Sequence, residues 1–365
     1  MINILFLQPS LPVGGAERVL FDLVTHMDRS KFRPVVACMY DKGEIGRRLA
    51  DLGLPVHDRL FNSRFDPQGL ASLLSLSRQE RIHLLYTHEH PATIVWGGAV
   101  AKLAGLKASI MAVHSTGDRA QRKRRLASRM VPSDIVIALS EAHRDYLADL
   151  ESYPKKKIRV VPNGIDPSPY MSANPGTRWP DAVPHGVPIV GIVAMLRSEK
   201  AHGTLLRAAA EIQDRTPAHF VIVGDGPERS PLENLGCQLG LAHRLHFLGK
   251  RDDIPSILAT FDILVLSSNV ETLPIAILEG MASAKPVVST RVGSVSELVI
   301  DKVTGILVPP GNPRQMSEAL LFLLANPVVA RSMGSAGRRR MLQNFTLDRM
   351  THNLEMIFDE LCAHV

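Results

Sequence analysis

Ser267-Ser268-Asn269-Val270-Glu271-Thr272-Leu273-Pro274-Ile275-Ala276-Ile277-Leu278-Glu279-Gly280-Met281-Ala282 is the stretch on which the fold turns. It follows an apolar run, Ile263 to Leu266, and precedes Lys285-Pro286-Val287-Val288-Ser289-Thr290, which has the pattern of a buried strand. Strand, loop, helix and strand in that order make the repeating unit of a parallel sheet. The spacing predicts a helix starting near Thr272, with Thr272 as its cap and Pro274 in its first turn. The amides of Leu273 and Ile275 then point out of the helix N-terminus, which accepts anions. Glu271 closes the loop and Glu279 lies within the helix. Two acids flanking an anion-accepting helix end suit a ligand with phosphate in the middle and hydroxyls at both ends. A nucleotide-sugar has that form. A capped surface helix with two ordinary glutamates is the plain alternative. The apolar surroundings weigh against it, because an unpaired charge at the edge of a core is costly.

The same alternation extends in both directions. Ile2–Leu7, Arg33–Met39, Leu84–Tyr86, Ser109–Val113 and Ile135–Ala138 read as strands, with helical periods such as Ala16–Met27 and Ala92–Ala104 between them. Pro188–Met195, His219–Val223, Leu245–Phe247, Ile263–Leu266 and Pro286–Ser289 repeat the plan. The Pro-rich segment between the halves reads as a linker. The expectation is therefore an α/β protein of two Rossmann-like, doubly wound domains facing across a cleft. Their spans are 1–165, a linker at 166–187, and 188–345. A last segment, 346–365, carries a helical period over Leu347–Cys362 and is expected to pack back toward the first domain. Ligands of such sheets bind outside the carboxyl ends of the strands.

Composition narrows the function classes. At 365 residues the chain exceeds one ordinary domain. Aromatics are only 5%, which disfavours base-stacking platforms and leaves nucleic acid a weak partner. Three separated cysteines with no CxxC give neither a disulfide framework nor a structural zinc site, and a reducing cytoplasm fits. The start, Met1-Ile2-Asn3-Ile4-Leu5, reads as a first strand, and no apolar run is long enough to span a bilayer. Much of the net charge of +6 is local: Arg119, Arg122, Lys123, Arg124, Arg125 and Arg129 crowd one segment. A solvated helix face explains such a run. An anionic partner, either a membrane surface or a phosphorylated acceptor, is the sharper reading.

Other strand-end loops carry candidates. Gly14-Gly15 sits between the first strand and helix, where a bare backbone approaches an anion closely. Gly224-Asp225-Gly226-Pro227 invites a dinucleotide reading, but no third glycine follows at the required spacing. His114 ends the strand Ser109–Val113. His88 and His90 end the preceding one and are candidates for the acceptor side.

These motifs, taken in order, resemble the GT-B-fold glycosyltransferase family 4. The carriers are Gly14-Gly15-Ala16-Glu17, Val161-Pro162-Asn163-Gly164-Ile165-Asp166, Val223-Gly224-Asp225-Gly226-Pro227, and the pair Glu271/Glu279 with its E-x7-E spacing. Gly293-Ser294-Val295-Ser296-Glu297 and Thr304-Gly305-Ile306-Leu307-Val308-Pro309-Pro310 follow in family order. The resemblance covers nearly the whole chain. It implies a retaining, metal-independent transferase without a cofactor. Such an enzyme moves a hexose-type sugar from an NDP-sugar, with UDP favoured, to a glycan or lipid-linked acceptor. By the same resemblance Gly15 gives its amide to the donor diphosphate, Gly14 and Gly224 also belong to the donor-binding set, and Glu271 holds sugar hydroxyls. Leu273, Pro274 and Ile275 frame the phosphate, Glu279 takes the ribose, Lys200 neutralises the leaving diphosphate, and His114 contacts the donor sugar. The family's arginine, five residues before the lysine, is here Met195; Arg197 stands two residues later as its candidate substitute. Enzymes of the family that work on lipid carriers reach the inner membrane face, which the basic segment would serve.

No Asp-x-Asp occurs, in keeping with transfer in which a lysine, amides and a helix end replace Mg²⁺. No side chain is an evident nucleophile, so front-face transfer is expected, with the departing phosphate helping to deprotonate the acceptor. A GT-B-fold epimerase and a nucleotide-sugar-binding protein without transferase activity are the alternatives. A phosphorylase would need a phosphate or cofactor-lysine site that the sequence does not display.

Overall fold

A computed structural model describes residues 1–63, 65–116, 118–173 and 183–363, apart from the side chains of residues 118–121. Thirteen strands are seen among these residues. β1 (Ile2–Gln8), β2 (Phe32–Cys38), β3 (Val56–His57), β4 (Leu84–His88), β5 (Ala108–Ala112), β6 (Ile135–Ala138) and β7 (Ile158–Val160) form one sheet, in the order β3-β2-β1-β4-β5-β6-β7. β8 (Ile189–Val193), β9 (His219–Val223), β10 (Leu245–Gly249), β11 (Ile263–Leu266), β12 (Val287–Thr290) and β13 (Gly305–Val308) form the other, ordered β10-β9-β8-β11-β12-β13. All pairings are parallel.

Parallel neighbours need a crossover, and helices supply it on both faces. That is why the central strands are apolar without alternation: Ile4, Leu5, Phe6 and Leu7 are all fully buried. In each sheet the strand order reverses once, between β1 and β4 in the first and between β8 and β11 in the second. The loops leaving those four strands flank the switch points where open α/β sheets bind ligands.

The chain divides into two compact units, Met1–Gly164 with Leu347–Val365, and Ile165–Thr346. The helix Leu347–Ala363 thus belongs to the first unit. Its buried stripe, Met350, Leu354, Ile357 and Phe358, has helical spacing. Phe358 lies edge-on to Phe32 and Tyr86, with ring centroids 6.0 and 6.2 Å away.

Two readings from sequence change. β3, β7 and β13 were not expected. Each is a short edge strand of two to four residues, too brief to carry a period, and is held by the ladder of its neighbour. The supposed linker 166–187 opens with a helical turn, Ser168–Met171, whose Tyr170 is buried within the second unit. Those residues are part of that unit rather than a free connection; residues 174–182 lie outside the described ones. Among the described residues no single helix is long and apolar enough to cross a membrane.

Candidate functional site

The second unit assembles most of the donor-side candidates around the carboxyl ends of β8 and β11. The loop after β11 starts with two buried serines. Ser267 Oγ donates to the Lys200 carbonyl at 3.0 Å, and Ser268 Oγ donates to Glu271 Oε1 at 2.6 Å. Thr290 Oγ1, at the end of β12, donates to the Ser268 carbonyl at 2.6 Å. The Asn269 amide donates to the Glu199 carbonyl at 2.8 Å, which ties this loop to the one after β8. Lys200 Nζ then reaches the same Glu271 oxygen at 2.7 Å. Glu271 is therefore a buried carboxylate neutralised by a lysine that keeps some contact with solvent, and it is fixed by a serine hydroxyl. Charge-assisted contacts of this kind are the strong ones.

Two glycine positions make the arrangement possible. Gly293 has φ +50°, and a Cβ there would sit 1.7 Å from the Glu271 carbonyl oxygen. The backbone of the Gly293-Ser294 turn thus presses directly on the base of the acid. Gly224 (φ +135°) is the other: a Cβ there would lie 2.0 Å from the Ala194 carbonyl oxygen. The turn that follows β9 holds the loop that follows β8, with the Leu196 amide donating to the Asp225 carbonyl and the Glu228 amide to Leu196. Gly224 was expected to touch the donor. Its own amide is committed to the Gly249 carbonyl at 2.9 Å, so its part is to shape the loop that carries Lys200.

The helix bearing Glu279 starts later than the sequence implied. It spans Ile275–Ala282, with Pro274 as its extended N-cap residue and no side-chain cap. Thr272 and Leu273 are buried in the loop ahead of it. Pro274 is extended at ψ 123°, and its ring disfavours helical backbone at the preceding Leu273, so the first helical residue is Ile275. The amides that lack intrahelical partners are accordingly those at Ile275 and Ala276, not Leu273. Gly280 lets the helix sit flush on β11, since a Cβ there would meet Leu264 Cδ2 at 2.2 Å. Glu279, buried, accepts a hydrogen bond at 2.6 Å from Tyr170 Oη, which sequence reasoning missed. The only signal was a lone tyrosine in a Pro-rich stretch.

Arg197 is half-exposed and lies 4.0 Å from Glu199, while Met195 is also exposed. Arg197 is thus anchored only by a loose surface pair. His202, just beyond Lys200, is buried with neither ring nitrogen partnered among the described residues. Burial, and then the charge of Lys200, push its pKa down to about 4, so the ring is neutral.

The first unit gathers a second group at the ends of β1, β4 and β5. Gly14 caps the helix Gly15–His26 with extended backbone and no side-chain bond, and a Cβ on Gly15 would meet no described atom within 4 Å. The helix start is thus bare at Gly15, while the Glu17 carboxylate closes over Gly14, where a Cβ would lie 2.2 Å from Oε2. His88 is buried, with its ring 4.6 Å from that of His114. Desolvation, helped by His114, holds His88 far below the usual histidine value; desolvation also lowers His114, against the pull of Glu89. The backbone amide of His114 donates to Glu89 Oε2 at 2.9 Å, and the ring Nε2 of His114 is buried without a partner among the described residues. His90 caps the helix Pro91–Leu103, its Nδ1 accepting from the Ala92 amide at 3.3 Å.

The basic segment is not uniform. Arg124 is fully buried: Nε donates to Glu151 Oε2 at 2.9 Å, a second nitrogen pairs with Glu151 Oε1, and Nη1 donates to the Ser115 carbonyl. Burial opposes its charge, but the bonds and charge of Glu151 outweigh this and hold it above the ordinary guanidinium value. Arg124 therefore cannot face a membrane or an acceptor, as the run of charges had implied; a sequence shows the charge but not the carboxylate twenty-seven residues on that takes it inward. Arg122 and Lys123 are exposed, and Arg125 is half-buried. The side chain of Arg119 lies outside the described residues.

Residues 13–169 match the family model Glycosyltransferase Family 4, and residues 187–326 match Glycosyl transferases group 1. The chain belongs to the group 1, family 4 glycosyltransferases. This glycosyltransferase-family chain is 28% identical over 227 residues to N-acetyl-alpha-D-glucosaminyl L-malate synthase of Bacillus anthracis, a match covering 62% of this chain and 59% of that one. It thus spans less than two thirds of that relative. Alpha-D-kanosaminyltransferase of Streptomyces kanamyceticus is 28% identical over 322 residues, covering 85% of this chain and 78% of the relative. Among solved structures, Anabaena HepE in complex with UDP-glucose superposes with a TM-score of 0.84 at 22% identity, covering 99% and 100% of the two chains. At that identity the likeness establishes the fold: two Rossmann-like domains of the GT-B class.

Proposed function

We propose that this family member is a retaining glycosyltransferase that moves a hexose-type sugar from a UDP-sugar to a hydroxyl of a glycan or lipid-linked acceptor. The observation that carries the reading is the Lys200–Glu271 pair set beside an uncapped helix start, with Glu279 on that same helix. A departing diphosphate gains negative charge as the glycosidic bond breaks. Lys200 Nζ and the amides at Ile275 and Ala276 are preorganised donors that favour that charge, without a metal ion being needed for it. Glu271 accepts hexose hydroxyls, and Glu279 accepts the ribose hydroxyls, with Tyr170 fixing its carboxylate. Gly15, at the helix start of the first unit, gives its amide to the diphosphate, and His114 contacts the donor sugar. Neither acid is assigned as a nucleophile; the leaving phosphate takes the acceptor proton on the face it departs from. The relative solved with UDP-glucose supports the choice of UDP.

The reading includes work at the cytoplasmic membrane face. Helix Asp118–Met130 exposes Leu126 and Met130 beside Arg122, Lys123 and Arg129, an amphipathic pattern suited to anionic headgroups.

Calorimetric titration of UDP into wild type and Glu279→Ala tests the assignment. A charge-assisted contact of about 1.5–3 kcal/mol implies roughly a tenfold to hundredfold weaker UDP binding in the variant. Equal affinities would remove Glu279 from the site.

A further inference from the structure

A cavity of about 110 Å³ opens in the first unit, at the opposite end of its sheet from the strand-end loops. Ser133 and Val136, at the start of β6, and Lys157, just before β7, place it at the amino ends of those strands. Arg125, Ser128 and Arg129 line it from the helix Asp118–Met130, and Glu151 and Tyr153 from the segment before β7. The wall is fixed. Ser128 Oγ and Tyr153 Oη lie 2.8 Å apart, and Lys157 Nζ donates to the Ser133 carbonyl at 2.9 Å. Ser152 holds left-handed backbone at φ +63°, a reversal between Glu151, turned inward to Arg124, and Tyr153, bonded to Ser128.

The charges on this wall do not cancel. Glu151 is its carboxylate, and buried Arg124 takes both oxygens. That leaves half-buried Arg125, Arg129 and Lys157. Among the described residues neither Arg125 nor Arg129 has a side-chain hydrogen-bond or ion-pair partner. The nearby acids are engaged elsewhere. Asp134 accepts from the amide and hydroxyl of Ser109, while Asp145 and Asp149 each face Lys155 at 3.6 Å. Asp118 and Arg119, whose side chains lie outside the described residues, stand about 9 Å or more along the helix from Arg125. A half-buried guanidinium without a counter-charge is costly, and its planar fork matches the oxygens of a phosphate. The small cavity admits that group and leaves the rest of its bearer outside. Leu126, Met130 and Leu150, each next in the chain to a pocket residue, are large apolar side chains left exposed, which suits a bearer with acyl chains.

We propose that this cavity is a phosphate site, filled by the headgroup phosphate of an anionic phospholipid or by a free phosphomonoester. Arg125 and Arg129 grip the oxygens, and Lys157 adds charge from a fixed position. The site stands independently of the transferase reading; its lipid source alone rests on the membrane-face reading.

Titration calorimetry of sn-glycerol 3-phosphate into the full chain tests the free source. Flotation with phosphatidylcholine vesicles carrying phosphatidic acid tests the lipid source. Arg125→Gln with Arg129→Gln removes two charges inside the cavity; Arg122→Gln with Lys123→Gln removes two outside it. The inner pair should weaken glycerol 3-phosphate about tenfold or more, as loss of charge-assisted bonds does. The outer pair should weaken it about twofold or less, since screened surface charges act weakly. Flotation should likewise fall further in the inner pair. Arg129→Gln alone, at an exposed position, serves if the inner pair lacks a wild-type Tm, and should weaken binding about three- to tenfold. Equal losses from the two pairs would reduce the site to a diffuse basic face and overturn the proposal, as would a wild type that binds neither probe. Glycerol 3-phosphate held by the inner arginines without flotation would uphold the site for a free phosphate and remove the membrane-face reading. Flotation lost in the inner pair, without glycerol 3-phosphate binding, would uphold it for a lipid.

Discussion

Glu271→Gln separates the two partners of Lys200. In the unliganded chain Lys200 Nζ lies 2.7 Å from Glu271 Oε1, and the lysine side chain is 24% exposed. At that distance and an effective dielectric of about 20, the bare attraction is roughly 6 kcal/mol. Desolvation and side-chain ordering cancel most of it, and pairs with one partly exposed member retain about 1 kcal/mol. A diphosphate must compete with Glu271 for the same ammonium and is repelled by the same carboxylate. Glutamine still accepts from Ser268 Oγ but carries no charge, so the loop geometry persists while Lys200 is released. UDP without a sugar should bind Glu271→Gln about fivefold more tightly, since 1.4 kcal/mol is tenfold. Transfer should fall roughly ten- to hundredfold, because charge-assisted contacts to hexose hydroxyls are worth about 1.5–3 kcal/mol. Titration calorimetry at fixed ionic strength and a radiolabel transfer assay read the two effects. The Lys200→Met background is the control: with no ammonium to release, most of the gain should disappear. Weaker UDP binding in Glu271→Gln, or the same gain in both backgrounds, would refute the idea that Glu271 sequesters Lys200.

Gly293→Ala forces a Cβ to 1.7 Å from the Glu271 carbonyl oxygen at φ +50°. Left-handed backbone costs about 1–2 kcal/mol and overpacking about 1–3, so scanning calorimetry should show a clear fall in Tm together with loss of UDP binding; a wild-type Tm would contradict the packing described. Stability should decline on acidification. His143 and His202 are pushed down to about 3 and about 4, in both cases mainly by burial. Their folded values lie below the unfolded one near 6.5, so the unfolded chain takes protons first as pH drops. The contribution is whole above pH 6.5 and is lost toward pH 4 and below, at about 1.4 kcal/mol per pH unit for each ring; melts that are flat across that window would count against buried neutral rings. In the basic segment, Arg122, Lys123 and Arg125 changed together to Ser should leave Tm nearly unchanged and reduce salt-sensitive flotation with anionic liposomes, at about 1 kcal/mol per residue. Arg124→Met should instead cost about 3–5 kcal/mol, because it strands buried Glu151; equal flotation of the triple variant and wild type would remove the membrane role.

Much of this molecule was written in local sequence. The double α/β plan follows from apolar runs alternating with helical periods, which persist because parallel strands buried on both faces are apolar over most of their length. The E-x7-E spacing placed Glu271 on a loop and Glu279 on a helix, for spacing along one short segment is a local property. Tertiary structure alone decided the partners. It put Lys200 on Glu271, seventy-one positions away, and Tyr170 on Glu279 across a segment that had looked like a tether. It took Arg124 out of a basic run and buried it against Glu151, and it left the side-chain amide of Gln8, at a strand end, buried with no partner among the described residues. Local patterns fix which elements form, because backbone geometry and burial act over a few residues. Which charges meet depends on how the chain folds back on itself, and no spacing records that.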